Sequence, residues 1–196
     1  MLREDERHGQ TKKRRKAGRD HGGGDPCHRR RGLGAATAAI AQEAGVSNGS
    51  LFTYFETKAD LLNHLYLELK TEMAAAALEG LPSGESGVRA QMQHAWSGWL
   101  RWATSCPEKR RTLAHLGVSD DITPETREAA RRTMIGIAAL LEHSRENGPL
   151  RAAPLGFVSA LMSAMADTTI DFMIGDPANA DKHCATAFEA LWRMLV

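Results

Sequence analysis

The chain has 196 residues, 42% of them hydrophobic, and a formal net charge of +1. This length allows one or two domains with a proper core, while a mean hydropathy of −0.37 and no apolar run near the ~18 residues of a spanning helix predict a protein without a membrane anchor. The three cysteines lie far apart with no metal-ligand spacing, and no secretory signal is recognisable, which predicts a cytoplasmic protein without a bound metal.

Residues 1–31 form a strongly basic segment. They carry eleven Lys and Arg against five acids, a net charge of +6, whereas residues 32–196 carry 14 against 19, a net charge of −5. The three glycines at 22–24 and Pro26 oppose a continuous helix, so this segment is predicted to be irregular or aberrant. Because Lys and Arg neutralise phosphates without reading sequence, the segment either assists DNA binding or is an inert solvated tail.

Residues 37–58, TAAIAQEAGVSNGSLFTYFETK, have the pattern of a helix, a tight turn and a second helix. Small apolar residues recur at helical spacing before Gly45, which suits the end of a helix, and Ser47 suits the N-cap of the next one. The second helix would present small polar side chains outward and could therefore lie close to a duplex. This is the outline of a helix-turn-helix that places its second helix in the major groove, although an ordinary helical hairpin has the same spacing.

The residue pattern of this region closely resembles the signature of the tetracycline-repressor (TetR) family of bacterial transcription regulators. The resemblance extends from residue 37 to about residue 69 and includes AxxAGVSxGxLFxYFxxKxxLL. The resemblance implies an all-helical homodimer with an N-terminal DNA-binding domain and a variable C-terminal domain that binds ligand and dimerises. It also implies repression at a palindromic operator that a small molecule relieves. Carried over residue by residue, the resemblance implies DNA contacts at Thr37, Ser47, Asn48, Gly49, Thr53, Tyr54 and Lys58.

The residues just before the motif depart from the family pattern. The family places an apolar helix there, whereas residues 15–31 read RKAGRDHGGGDPCHRRR and offer only Ala17 and Cys27 as apolar surface. A shifted reading frame or a wrongly chosen start would explain this departure, and so would a degenerate regulator. The second explanation leaves an alternative function open, in which the C-terminal domain binds a small molecule or a partner without competent DNA binding.

The rest of the chain is predicted to be helical, with Pro and Gly marking the helix ends. An apolar period near 3.6 predicts a long helix over 57–78, and LPSGESG at 81–87 then marks a domain boundary. We therefore predict an all-α fold with a helix-turn-helix DNA-binding domain and its connecting helix over 32–80, and a C-terminal helical bundle over 81–196. Helices of this bundle are predicted over 85–105, 107–116, 124–147, 155–174 and 179–195.

Two sets of apolar residues in the bundle bear on function. Flexible Met and flat Trp side chains suit an adaptable apolar ligand pocket, although they suit a plain core equally well. The candidate pocket residues are Met92, Trp96, Trp99, Met134, Met162 and Met165. The last two helices carry more apolar surface than two helices alone can hide, and the resemblance implies that they pair with their copies in a dimer, burial within one chain being the alternative. The candidate interface residues are Phe157, Leu161, Phe172, Phe188, Leu191 and Trp192.

Enzymatic activity is not expected. The sequence has no GxxxxGK[ST] phosphate loop, no GxGxxG after a strand and no HExxH motif, and its eight histidines are scattered. We therefore expect no cofactor. The expected partners are a double-stranded DNA operator, a small apolar effector and a second copy of the chain, with no membrane.

Overall fold

A computed structural model describes residues 55–84 and 87–196, and every regular element within these ranges is helical. The α-helices are α1 (Lys58–Leu78), α2 (Gly87–Ser105), α3 (Pro107–Gly117), α4 (Pro124–Thr133), α5 (Ile135–Ser144), α6 (Leu155–Gly175) and α7 (Ala180–Leu195). The predicted all-helical class is confirmed. The predictions for residues 1–54, which include the basic segment and most of the helix-turn-helix motif, lie outside the described residues.

Helix α1 begins at a capping box. The Thr57 hydroxyl oxygen accepts a hydrogen bond from the Asp60 backbone N–H at 3.1 Å, and the Asp60 carboxylate accepts one from the Thr57 N–H at 3.0 Å. These reciprocal bonds satisfy two backbone donors that the first turn of a helix leaves free. The helix therefore starts at a fixed residue, and Lys58 is its first residue.

The helix predicted over 124–147 is wrong as a single element, because it is divided into α4 and α5 at Met134. At this position the backbone N–H bonds to the carbonyls of Arg131 and Arg132 and no longer continues the α-helical ladder. Thr133 and Ile135 are β-branched and Gly136 follows, so the local sequence has weak helix propensity. The Thr133 hydroxyl also donates to the Ala130 carbonyl at 2.8 Å, which offers the backbone a competing partner.

Helix α1 joins two parts of the hydrophobic core. Its first half packs with α3 and α4 around Leu62, Tyr66 and Leu69. Its last turns, through Ala74 and Ala77, pack against α2 and α5 and belong to the core cluster that residues of α6 and α7 complete. Both parts are well buried, so a change in the position of α1 would disturb contacts along its whole length.

The crossing of α1 and α2 depends on a glycine. A Cβ atom on Gly98 would lie 2.3 Å from the Ala76 carbonyl oxygen and 3.1 Å from the Ala77 Cα, so no larger residue fits. The two backbones therefore approach directly. This contact anchors the C-terminal end of α1 within the bundle.

The segment between α5 and α6 is held by a buried arginine. The side chain of Arg145 donates to the carbonyls of Leu150 and Ala153, both at 2.6 Å, and pairs with Glu142 at 2.6 Å. These charge-assisted bonds fix the turn that leads into α6.

Helices α6 and α7 pack together and leave apolar side chains outside. Phe157 is 55% exposed and Phe172 is 60% exposed, both on α6. By length and composition alone α6 resembles a membrane-spanning helix, but core helices of soluble proteins pass the same test. Only about a third of its most apolar window is buried in this single chain, so much of its apolar surface remains uncovered.

Candidate functional site

Of the predicted DNA-contacting residues, only Lys58 lies in the part of the chain that the structure describes. Thr37, Ser47, Asn48, Gly49, Thr53 and Tyr54 lie outside the described residues. Lys58 is described, is exposed and occupies the first turn of α1. A cation there does not complement the helix dipole, whereas the nearby backbone N–H groups attract an anion such as a phosphate. Its role as a DNA contact stays a prediction.

Between the helices lies a cavity of about 650 Å³, within the size range of small-molecule sites. All six helices from α1 to α6 contribute to its wall, and most of the wall is apolar. The aromatic and sulfur-containing lining residues are Tyr66, Met73, Trp99, Trp102, Met134 and Met162. The cavity could accept an organic molecule with a substantial apolar body.

The six predicted pocket residues separate into three locations. Trp99, Met134 and Met162 line the cavity. Met92 and Trp96 are each 2% exposed and lie in the core away from its lining. Met165 instead lines a groove between α6 and α7. Ligand binding by any of them stays a prediction.

Charged residues also line the cavity, and the sequence interpretation did not identify them. Lys70 on α1 is half-buried, and its Nζ lies 5.9 Å from the centroid of the Tyr66 ring, within the range of a cation–π contact. Burial lowers the pKa of Lys70 below its ordinary 10.5, and the negative charge of Asp167 opposes that shift. The sequence did contain a signal for placing Lys70 in the cavity wall. Tyr66, Lys70 and Met73 recur at helical intervals along one face of α1.

The cavity-lining arginines are occupied by protein partners. Arg110 pairs with Asp167 at 3.3 Å and with Asp171 at 2.5 Å. Arg127 donates to the carbonyls of Gly117 and Ser119, both at 2.8 Å. The third, Arg131, pairs with an acid one turn away on the exposed side of α4. Lys70 therefore differs from them, since no carboxylate of the described residues lies within ion-pair distance of its ammonium group.

The candidate dimer residues divide into exposed and buried ones. Phe157 and Phe172 are exposed, and Leu161 is half-buried on the same helix. Phe188 is 1% exposed and Leu191 is 0% exposed, so their apolar character is explained by the core of one chain. Trp192 is half-buried beside Phe188, with 6.2 Å between ring centroids.

A groove with a mostly apolar lining runs along α6 and α7 where the two helices pack together. Small side chains face it from both helices, and Phe172 lies at one side with His183 close to its ring, 5.8 Å between centroids. The residues that line the groove are Ala164, Met165, Thr168, Thr169, Phe172, Lys182, His183, Thr186, Ala187 and Ala190. Small residues permit the close approach of another helix.

A helical bundle joined by a long helix to a helix-turn-helix sequence defines a class of DNA-binding transcription regulators. The family described as "Bacterial regulatory proteins, tetR family" matches residues 27–65. A tetR family transcription regulator from Shewanella sp. PV-4 is 26% identical, with a TM-score of 0.65 over 80% of this chain and 84% of that chain. One from Marinobacter aquaeolei VT8 is 21% identical and shares the fold, with a TM-score of 0.69 over 81% of this chain and 83% of that chain. In residues 27–65 and in its fold, the chain is therefore similar to tetR family transcription regulators.

Proposed function

We propose that the protein is a ligand-responsive repressor that binds a palindromic DNA operator as a homodimer. The observation that carries the proposal is the course of α1. Its first turn holds Lys58, and about 18 Å further along the helix Lys70 lies in the cavity wall. A ligand in the cavity would therefore contact the same rigid element that carries a predicted DNA-contacting residue.

The proposed coupling is a choice between two positions of α1. A ligand that fits the cavity in only one of them would favour that position and change the separation of the two DNA-binding domains. Effector and operator would then affect each other's affinity by the same factor. The two core regions pack on opposite halves of this single helix. A shift of α1 in one region would therefore be transmitted to its contacts in the other.

A dimer is supported by the uncovered apolar face of α6. Phe157 and Phe172 lie on it, and the adjoining groove with α7 is lined by small residues. A second copy seated there would bury this face in a four-helix, isologous interface. Two-fold symmetry also matches two DNA-binding domains to the half-sites of a palindromic operator.

Fluorescence anisotropy of the full chain on DNA from upstream of its own coding sequence tests DNA binding. Lys58→Ala should weaken binding to all sequences about equally and reduce the salt slope of the dimer by about two, one phosphate contact for each protomer. Arg151→Ala is the matched control, since it removes an exposed positive charge from the segment between α5 and α6. If the wild-type chain shows no salt-dependent binding to this DNA, the alternative of a degenerate regulator without competent DNA binding is favoured.

A further inference from the structure

Among the described residues that line the cavity, one cation has neither a carboxylate nor a carbonyl bound to it. Lys70 projects from α1 into a wall that also holds Tyr66, Met73, Trp99 and Trp102. No hydrogen bond or ion pair joins its ammonium group to a described residue. A charged group in such surroundings is costly unless it is paired.

The carboxylate that could serve as its partner is already engaged. Asp167 is the acid among the described residues that line the cavity, and Arg110 binds both its side chain, at 3.3 Å, and its backbone carbonyl, at 3.1 Å. The Asp167 side chain is also 63% exposed, so solvent weakens its effect on a buried charge. Asp167 therefore acts on Lys70 only at longer range.

Two serine hydroxyls in the cavity wall could also donate hydrogen bonds to an anionic ligand. Ser159 and Ser163 lie one turn apart on α6, and both line the cavity. Their hydroxyls form no hydrogen bond with the described residues and remain able to donate to an anion. One unpaired ammonium group together with free hydroxyls suits a headgroup with a single negative charge, while the Trp and Met side chains suit an apolar body.

We propose that the ligand of this cavity is an amphipathic organic anion, with its carboxylate against the Lys70 ammonium group and its apolar body among Trp99, Trp102 and Met162. This inference rests on the proposed function in taking the cavity as the effector site. It adds the chemical class of the effector. Burial lowers the pKa of Lys70, which is consistent with an ammonium group that gains a counter-charge only when an anion binds.

Isothermal titration calorimetry of the full chain without DNA tests the inference with three probes of equal chain length: decanoate, decan-1-ol and decylammonium. Decanoate should bind about tenfold or more tightly than decan-1-ol, because only its carboxylate can form an ion pair with the Lys70 ammonium group. Decylammonium should bind most weakly. Quenching of tryptophan fluorescence gives a second readout, since Trp99 and Trp102 line the cavity.

Variants of Lys70 test whether the preference for decanoate over decan-1-ol depends on this residue. Lys70→Met keeps an apolar chain of similar length and should reduce the preference for decanoate over decan-1-ol to within about twofold, while Lys70→Arg should keep it. Lys109→Met is the matched control, because Lys109 pairs with Glu72 and does not line the cavity. The inference is overturned if decan-1-ol or decylammonium binds the wild-type chain as tightly as decanoate, if Lys70→Met keeps the preference, or if decanoate does not bind at up to about 1 mM. These results are independent of DNA, so they leave the proposed regulatory function to be judged separately.

Discussion

At the scale of single residues, Lys70 combines a cost in stability with a use in recognition. Its ammonium group lies in a largely apolar wall near the Tyr66 ring, and Asp167, the acid whose charge acts on it, is paired with Arg110. Groups of this kind destabilise a folded protein and persist where they bind something. Lys58 is comparable, because it occupies the end of a helix where a positive charge does not help folding.

This reasoning predicts that Lys70→Met stabilises the ligand-free protein. The free energy of unfolding should rise by about 0.5–2 kcal/mol in urea denaturation near neutral pH, because the variant removes a poorly solvated charge and leaves the apolar contacts. Lys70→Arg is the control and should bring no such gain. A clear loss of stability in Lys70→Met would contradict this account of the residue.

Lys70 should also make the wild-type free energy of unfolding depend on pH. Because the pKa of Lys70 is lower in the folded chain than in the unfolded chain, the unfolded chain binds more protons between that lowered pKa and 10.5. The wild-type free energy of unfolding therefore gains a rising contribution as pH increases through this window. The contribution should be absent from Lys70→Met.

At the scale of elements, α6 carries an apolar face that the single chain leaves exposed. Phe172 is 60% exposed and lines a groove of mostly small residues, whereas Phe188 on α7 is buried in the core. The pair is therefore a packed layer with one covered side and one open side. A second pair of the same helices would complete it.

Phe172→Glu should convert the dimer to a monomer. A carboxylate in each copy of the apolar interface would be desolvated without a partner, so the dissociation constant should rise by at least about 100-fold in sedimentation velocity. Val118→Glu is the matched control, because Val118 is 85% exposed after α3 and lies off this face. Circular dichroism should show unchanged helix content in both variants. Persistence of the dimer in Phe172→Glu, or its loss in Val118→Glu, would contradict the proposed interface.

Most helix positions could be predicted from the sequence, because prolines and glycines mark their ends. Helix α3 begins at Pro107 as predicted, and α6 begins at Leu155 after Pro154. The division at Met134 was missed because the apolar period continues through it, and only the weak propensity of the adjoining residues signals the break.

The candidate site was less predictable, for a physical reason. Helical spacing identifies an apolar face but not the partner that covers it. Trp96 and Trp99 belong to the same helix, yet Trp96 is buried in the core and Trp99 faces the cavity. Lys70 was passed over because a lysine in an amphipathic helix is usually solvated, and its burial depends on α3 and α4 packing beside it.

At the scale of the whole molecule, the protein is organised around α1. The helix begins at the predicted DNA-contacting Lys58, continues through the cavity wall and ends against α2 at Gly98. Because its two halves belong to different core regions, ligand contacts at the middle of the helix can favour one position of the entire element. The central claim is that occupancy of the cavity and binding of operator DNA are coupled through this helix.

The most direct test is the anisotropy of labelled upstream DNA titrated with the protein at increasing decanoate concentrations. We predict that DNA affinity falls by about 5- to 150-fold as decanoate saturates, with a midpoint that matches its directly measured binding. Lys70→Met should bind DNA as tightly as the wild type without ligand and show no decrease with decanoate. An unchanged DNA affinity while decanoate occupies the wild-type cavity would contradict the claim.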